Sequence, residues 1–196
     1  SLGGPVFDLV KLGWVNNQHM RKKDLTELVE LAKPFFLAKG YITENSTEKE
    51  LEALTKVVEI LREGAITLKE IAELADIYYV DSFELDKVTE EMNKNERKSV
   101  ERLYHAIEDE TGKKSIKLFI EKLNAANEEI TADEAKAMLH DTMEEIGEGP
   151  GKVLMPLRVV ITGRGKGAEL YNVISIIGKT RTLKRINEMV AKYNIF

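Results

Sequence analysis

The sequence predicts an all-α protein, a helical bundle or cage of about nine or ten helices in two packed subdomains. Capping signals recur along the centre of the chain, and each is followed by apolar residues at helical spacing. The sequence carries no sustained alternation of apolar and polar residues between hairpin turns, so a sheet has little to be built from.

The first two helices are predicted from their capping residues. Asp24 is the expected N-cap of LTELVELAKPFFLAKG, and Pro34 is expected to break or restart that helix. Thr47 and Glu50 form a capping-box pattern before LEALTKVVEILREG, which Gly64 is expected to stop.

The capping-box pattern recurs twice further along the chain. Thr67 with Glu70 precedes LKEIAELADIYY. Thr131 with Glu134 precedes AKAMLHDTMEEIG, which is expected to end at Gly147.

Three more helices complete the pattern. Asn95 is the expected cap of ERKSVERLYHAIEDETG, and Ser115 is the expected cap of IKLFIEKLNAAN. GKVLMPLRVVIT is predicted to be helical, with Pro156 early in it, because its neighbours are helical. The β-branched residues 159–162 favour a strand instead.

Composition excludes several classes of protein. The 196 residues are 43% hydrophobic and 32% charged, which is typical of a soluble protein with one large domain or two small ones. No run approaches the roughly 20 apolar residues that a spanning helix needs, so no membrane partner is expected. The absence of cysteine excludes disulfides and thiol chemistry and fits a reducing cytoplasm, the expected location.

The charge is distributed unevenly. Residues 151–196 hold nine Lys and Arg against two Glu, a net charge of +7, whereas the first 150 residues carry −12. A basic end on an acidic body indicates a polyanionic partner, and the alternative is a basic face that is merely solvated.

Catalytic and metal-binding patterns are not found in the sequence. His19, His105 and His140 are scattered, and none has a second His or Cys at the spacing of metal ligands. GRGKG, residues 163–167, lacks both the preceding strand and the spacing of a phosphate-binding loop, so it is predicted to be a basic turn between helices.

The two ends of the chain carry motifs that together resemble glutamyl-tRNA synthetase. The family form Phe-Asp-x-x-Lys-Leu-x-Trp-x-Asn is matched at Phe7, Asp8, Lys11, Leu12, Trp14 and Asn16. A Pro-Leu-Arg-x-x-x-Thr-Gly helix and a closing Gly-Lys-x-Arg-x-Leu are matched at Pro156, Leu157, Arg158, Thr162, Gly163, Gly178, Lys179, Arg181 and Leu183.

The resemblance covers nearly all of this chain but only the C-terminal part of the enzyme. It implies three segments: residues 1–23 end the stem-contact region, 24–92 form a first helical anticodon-binding subdomain, and 93–196 form a second. The opening SLGGPVFDLVKLGW, without an initiator Met, looks like the middle of a longer protein. The parent would be a glutamate–tRNA ligase, and its ATP and Mg²⁺ would belong to the catalytic half. This chain alone is expected to hold no cofactor and to be inactive.

The resemblance also implies binding residues. Arg158 falls on an arginine that contacts an anticodon base, with a helix arginine bonded to a neighbouring carboxylate as the alternative. Leu170 falls where an apolar residue packs on the third anticodon base, with core packing as its alternative, and Gly167 falls near that base. Trp14 and Asn16 would fix the corner where the chain enters the helical domain.

The basic turn and the final helix would hold the RNA backbone. The residues expected to do so are Arg164, Lys166, Lys179 and Arg181.

One departure from the family concerns specificity. Members that charge only glutamate tRNA carry an arginine after the helix matching VVEILR, and it reads the third anticodon base. Gly64 stands there in this chain, and Arg62 lies two residues earlier. The parent is therefore expected to accept both glutamate and glutamine tRNAs unless Arg62 reaches that base.

The predicted partner is tRNA, not DNA, bound by a monomer. The alternative from another class is a helical scaffold that binds protein and no RNA. An RNA-binding module predicts that Lys152, Arg158, Lys179, Arg181 and Arg185 converge on one basic face, whereas a scaffold predicts an exposed apolar groove.

Overall fold

The computed structural model describes residues 17–196, and every regular element in that range is a helix, which confirms the predicted fold class. Trp14 and Asn16 lie outside the described residues. The helices are α1 (residues 17–22), α2 (Leu25–Ala38), α3 (Glu48–Leu61), α4 (Leu68–Leu74), α5 (Asp76–Tyr79), α6 (Lys94–Glu108), α7 (Glu110–Ala125), α8 (Ala132–Ile146), α9 (Pro150–Thr162) and α10 (Leu170–Lys192).

The chain divides into two compact units, Ser1–Tyr79 and Val80–Phe196. The boundary predicted from the sequence lies further along the chain, between residues 92 and 93. Segment 80–92 joins the second unit because its backbone is bonded to α10. The Leu85 N–H donates to the Tyr193 hydroxyl at 2.7 Å, and the Lys192 ammonium donates to the Phe83 carbonyl at 3.1 Å.

The first unit is built on α2, which packs against α3 and α4. Phe36 of α2 is fully buried and meets Tyr79 edge-on at 5.8 Å between ring centroids. Tyr41 stacks on Tyr79 at 4.7 Å and meets Phe36 edge-on at 6.1 Å, so the three rings form one cluster. Aromatic pairs in these geometries add to the hydrophobic stabilisation of a small core.

The predicted break at Pro34 is wrong, because α2 continues through it from Leu25 to Ala38. Proline has no N–H, so the Glu30 carbonyl loses its helical donor. Pro34 and Glu30 are both exposed. The unbonded carbonyl therefore lies on the solvated side of the helix, where water can bond to it.

Capping residues account for most of the helix starts. The capping boxes predicted at Thr47 and Thr131 are both present, and Gly147 ends α8 in the left-handed conformation at φ 73°. At Thr67 only one of the two hydrogen bonds of a capping box is present. Thr67 accepts the N–H of Glu70 at 3.1 Å, but the Glu70 carboxylate bonds to the N–H of Ile66.

Two predicted caps are wrong. Asn93 caps α6 instead of Asn95, since its side chain accepts the N–H groups of Asn95 and Glu96 at 2.9 and 3.1 Å. Asp109 caps α7 instead of Ser115. Ser115 is buried within α7, where its hydroxyl donates to the carbonyl four residues earlier at 2.7 Å.

Helix α9 lies at the centre of the second unit, packed against α6, α7, α8 and α10. Its Val153, Leu157, Val160 and Ile161 are fully buried. The helix predicted over Val153–Thr162 is therefore confirmed, and the β-branched run serves core packing instead of a strand. None of the helices in the described range is long and apolar enough to cross a lipid bilayer.

Helix α10 is interrupted at Gly178, which has φ 76° and ψ 176°. The first half covers Leu170 to Ile177, and the second begins at Lys179. Only glycine adopts this backbone conformation without strain, so the Gly of the closing motif sets the direction of the final helix.

Candidate nucleic-acid interface

Arg158 anchors the turn that follows α9. It is half-buried, and its Nη1 donates to the Ala168 carbonyl at 2.7 Å. The sequence left a carboxylate as the alternative partner, but the bond is to a backbone carbonyl. Arg158 therefore joins α9 to the end of the loop 163–169, and its contact with a base stays a prediction.

The loop 163–169, which we call the basic loop, is shaped by its glycines. Gly163 closes α9 at φ 69°, and a Cβ there would stand 2.7 Å from the Phe83 side chain. Gly167 has φ 133° and lies in open space. The loop follows a helix, not a strand, which agrees with the predicted turn between helices.

Within the basic loop the side chains differ in exposure. Lys166 is exposed, and Arg164 is half-buried. The Arg164 N–H donates to the Thr162 hydroxyl at 3.2 Å, which continues the C-terminal cap of α9. Lys166 and Gly167 are thus the most accessible of the predicted RNA-binding residues here.

Leu170, predicted to pack on the third anticodon base, is only 3% exposed. It is the first residue of α10 and belongs to the core of the second unit. Its burial fits the alternative of core packing, and the base contact remains untested.

Lys179 and Arg181 lie at the interruption of α10, where both are bonded within the protein. The Lys179 ammonium donates to the carbonyls of Asn124 and Ala126 at 2.9 and 2.8 Å, at the end of α7. Arg181 donates through Nε and Nη2 to the Asp81 carboxylate at 2.9 and 2.7 Å. A phosphate contact by either residue would compete with these bonds.

Glu128 caps the second half of α10. Its carboxylate accepts the N–H and the hydroxyl of Thr180 at 3.2 and 2.7 Å, and its carbonyl accepts the N–H of Lys179 at 3.1 Å. The motif Gly-Lys-x-Arg thus forms a helix start bonded on two sides.

Arg185 is fully buried, so the predicted basic face that includes it is wrong at this residue. Its guanidinium bonds to Asp81 at 3.4 Å, donates to the Ile161 carbonyl at 3.2 Å and lies 5.1 Å from the centre of the Phe83 ring. Burial acts to raise the pKa of Asp81, but the bonds and charges of Arg181 and Arg185 outweigh it and hold that pKa below its usual value.

The candidates of the first unit lie at the end of α3. Gly64 is exposed, and a Cβ there would meet no heavy atom within 4 Å. Arg62 is half-buried, and its Nη1 donates to the Lys23 carbonyl at 3.3 Å. Asn17 also holds this turn, through a 2.7 Å bond to the Ala65 carbonyl.

Comparison with known proteins then decides the family. The profile described as "Anticodon binding domain" matches residues 27–190. The chain belongs to the anticodon binding domain family.

Relatives of this anticodon binding domain agree with the resemblance seen at its ends. A "Glutamate--tRNA ligase" of Fusobacterium nucleatum is 59% identical over 197 residues, covering 100% of this chain and 39% of the relative. Another from Carboxydothermus hydrogenoformans is 37% identical over 183 residues, covering 92% of this chain and 35% of the relative. The chain thus spans less than two-fifths of the curated relatives it matches.

The fold is also found in a solved structure. A crystal structure of a glutamate tRNA ligase from Elizabethkingia meningosepticum aligns with a TM-score of 0.72 and 22% identity, covering 96% of this chain and 33% of that one. At this identity the match supports the fold of the anticodon binding domain.

One acidic cluster on the surface of the domain resembles a cation site in composition only. His140, Asp141 and Glu144 have ligand atoms within 4.8 Å of one another, but all three are exposed on α8. Exposed acidic groups on one helix are common without a metal, so this cluster supports no metal site.

Sequence reasoning missed two acidic residues that organise the domain, Asp81 and Glu128. Asp81 lies 100 residues before Arg181 in a segment without helical periodicity, and Glu128 lies 52 residues before Thr180. The only available signal was the lone acidic residue after the apolar run YYV, which is a weak one.

Proposed function

We propose that this chain is the C-terminal anticodon-binding part of a glutamate–tRNA ligase and that it binds tRNA by the unpaired bases of the anticodon. The observation that carries the proposal is the family match over residues 27–190, joined to 59% identity with a glutamate–tRNA ligase along the whole chain. The parent would attach glutamate to tRNA with ATP and Mg²⁺ bound outside this chain. It would act as a monomer in the cytoplasm, without binding DNA.

The geometry around α9 supports this role. Arg158 and the basic loop place a half-buried guanidinium beside exposed Lys166 and Gly167. Unpaired bases can be stacked on side chains and bonded along their edges, and an arginine fork suits such edges. Exposed glycine lets a nucleotide approach the backbone closely.

The finer proposal is that the parent accepts both glutamate and glutamine tRNAs. Gly64 offers no side chain to bond or reject a base, and Arg62 is directed to the Lys23 carbonyl. The scaffold alternative has less support, since large exposed apolar side chains in the described range are spread over separate segments: Leu31, Ile66, Leu74, Val80, Val88 and Phe196.

The test is titration of the 196-residue chain with a glutamate tRNA transcript and with the same transcript carrying an unrelated anticodon. We expect tighter binding of the first, and we expect Arg158→Ala to remove the difference. Arg158→Lys is the matched control for charge, since it keeps the cation and loses the planar fork. Equal binding of both transcripts by the unmodified chain would refute anticodon reading.

A further inference from the structure

Two adjoining cavities of the second unit lie along α6 and α9. The larger, about 710 Å³, lies against the basic loop and is lined by Ser99, Arg102 and Met155 among others. The smaller, about 160 Å³, is lined by Arg102 and Met155 as well, and it extends to His105 and Lys152. Because both are lined by Arg102 and Met155, they adjoin each other, and we call the pair the α6–α9 groove.

One wall of the groove is a face of α6, and the other is the basic loop packed against it. Ser99, Arg102 and His105 recur every three residues and therefore lie on one face of α6. A Cβ on Gly165 would stand 2.8 Å from Leu103 and 3.1 Å from Met155, so the basic loop packs directly on the groove.

The groove carries three exposed cations over an apolar floor. Lys166 stands at one end and Lys152 at the other, with Arg102 between them. Met155, Leu103 and Pro156 supply apolar surface below. Two carboxylates also line it: Asp86 at the loop end, and Asp109, which is engaged by the N–H of Thr111 at 3.0 Å.

Arg102, at the middle of the groove, has a positive charge that no carboxylate in the described part of the chain neutralises. It is exposed, and within residues 17–196 its side chain has no hydrogen-bond or ion-pair partner. Lys152, by contrast, bonds to Glu148 at 2.8 Å. An exposed guanidinium without an ion-pair partner, placed over apolar side chains, fits a phosphate flanked by sugars and bases.

We propose that the α6–α9 groove holds the sugar–phosphate backbone of the RNA strand that leaves the basic loop, with Arg102 as the phosphate ligand at its midpoint. The proposal rests on the proposed function, because it extends the anticodon contact to the nucleotides beside it. It assigns to α6 a role in RNA binding that the motifs at the ends of the chain do not include.

Arg102→Gln tests the contact. Removing one phosphate ligand weakens binding about equally for all sequences, so we expect the Kd for both tRNA transcripts to rise by about 3- to 10-fold. The slope of log K against log salt should fall in magnitude by about 0.7 for a single-stranded contact. Lys114→Gln, which removes an exposed cation from α7 outside the groove, is the matched control and should change neither value.

The absence of cysteine from the chain allows a direct measurement of position. Ser99→Cys, labelled with an aryl-azide photocrosslinker, should join the nucleotides next to the anticodon. Lys114→Cys, labelled in the same way, should not. Circular dichroism melting curves of each variant confirm that it folds.

The outcomes separate the two proposals. If Arg102→Gln binds tRNA like the unmodified chain while Arg158→Ala weakens binding, the groove is not the RNA path, although the proposed function stands. If the unmodified chain binds no tRNA, the proposed function fails and the groove proposal fails with it. If poly-glutamate binding alone depends on Arg102, the occupant is an acidic peptide, and our proposal is wrong.

Discussion

A single carboxylate, that of Asp81, faces three cations of the second half of α10. Arg181 lies 2.7 Å from it, Arg185 3.4 Å and Lys184 3.8 Å. Arg185 is fully buried, so its charge depends on this partner more than the other two do. Removing one member of such a pair leaves an uncompensated buried charge, which costs more free energy than the pair contributes.

Asp81→Ala should therefore destabilise the second unit by about 2–4 kcal/mol, somewhat less than a fully buried pair because water reaches the carboxylate. The measurement is the free energy of unfolding from urea denaturation. Glu84→Gln is the matched control in the same segment. It loses only an exposed ion pair with Lys192, which water screens, so it should cost far less than Asp81→Ala. Equal effects of the two substitutions would contradict the role given to Asp81.

The difference in stability between the unmodified chain and Asp81→Asn should depend on pH. The pKa of Asp81 is lowered in the folded state, so this carboxyl binds protons more readily when the chain is unfolded. Its contribution is complete above the ordinary aspartate pKa and is lost as pH falls through the lower, folded value. Urea unfolding between about pH 6 and pH 2.5 should show the two stabilities converging only below about pH 4. A constant difference across that range would refute the coupling.

Gly64 decides the proposed acceptance of two tRNAs. Without a side chain at this position, the full-length parent should prefer glutamate over glutamine tRNA by no more than about tenfold, the low end of what a bidentate base contact supplies. Gly64→Arg should raise that preference, and Gly64→Ala, which adds no donor, should not. The open space around Gly64 lets both variants fold. Charging of both tRNAs measures the preference, and strong rejection of glutamine tRNA by the unmodified parent would show that another residue reads the base.

Among the helices, the crossing of α6, α7 and α9 is set by one glycine. A Cβ on Gly112 would stand 2.0 Å from the Ala106 carbonyl oxygen and 3.3 Å from the Pro156 side chain. Backbone cannot yield as a flexible side chain does, so any larger residue must push α7 away from α6.

Gly112→Ala should consequently destabilise the second unit by about 1–3 kcal/mol, the range of overpacked cores. Gly151→Ala is the matched control on α9, since nothing lies within 4 Å of its Cβ position. That substitution should stabilise by about 0.4–1 kcal/mol, because alanine loses less backbone entropy on folding. Thermal melts of both variants measure the difference, and a neutral Gly112→Ala would show that the helices separate easily.

The helices themselves were largely predictable, because their signals are local. Thr47 and Thr131 each bond three residues ahead, so a short window of sequence contains the whole cap. The caps predicted at Asn95 and Ser115 were wrong because another capping residue lies earlier in the chain. Asn93 caps α6, and Asp109 caps α7. The interruption at Gly178 was not foreseen, since it depends on Glu128.

The candidate site was predictable only in part, because some of its contacts join residues far apart in the sequence. The motif around Arg158 indicated which helix and which turn to consider, and the structure joins Arg158 to that turn through Ala168. The internal partners of Lys179, Arg181 and Arg185 lie far away in sequence, so their charges looked available when only the sequence was read. Arg102 carries no motif and became a candidate only when the cavities placed it beside the basic loop.

Across the chain, the excess of positive charge after residue 150 overstates the charge available to a polyanion. Nine cations occur there, but several already neutralise carboxylates or bond to carbonyls within the protein. Arg158 and Lys179 donate to backbone oxygens. Among the nine, Lys166 is the clearest exposed cation suited to phosphate, and Arg102, earlier in the chain, is another.

The salt dependence of tRNA binding should report this smaller number. Each phosphate neutralised on a single strand contributes about −0.7 to the slope of log K against log salt, so three or four contacts give roughly −2 to −3, whereas all nine cations would give about −6. Titrations of the 196-residue chain with glutamate tRNA between about 50 and 300 mM KCl measure the slope. The internal bonds are the reason for expecting the smaller value, because a cation held by Asp81 or by a carbonyl must break that bond before it can displace a counterion. A slope near −6 would mean that these bonds open when RNA binds, and Lys179→Gln would then reduce it. If they stay closed, Lys179→Gln should leave the slope unchanged and lower only the melting temperature.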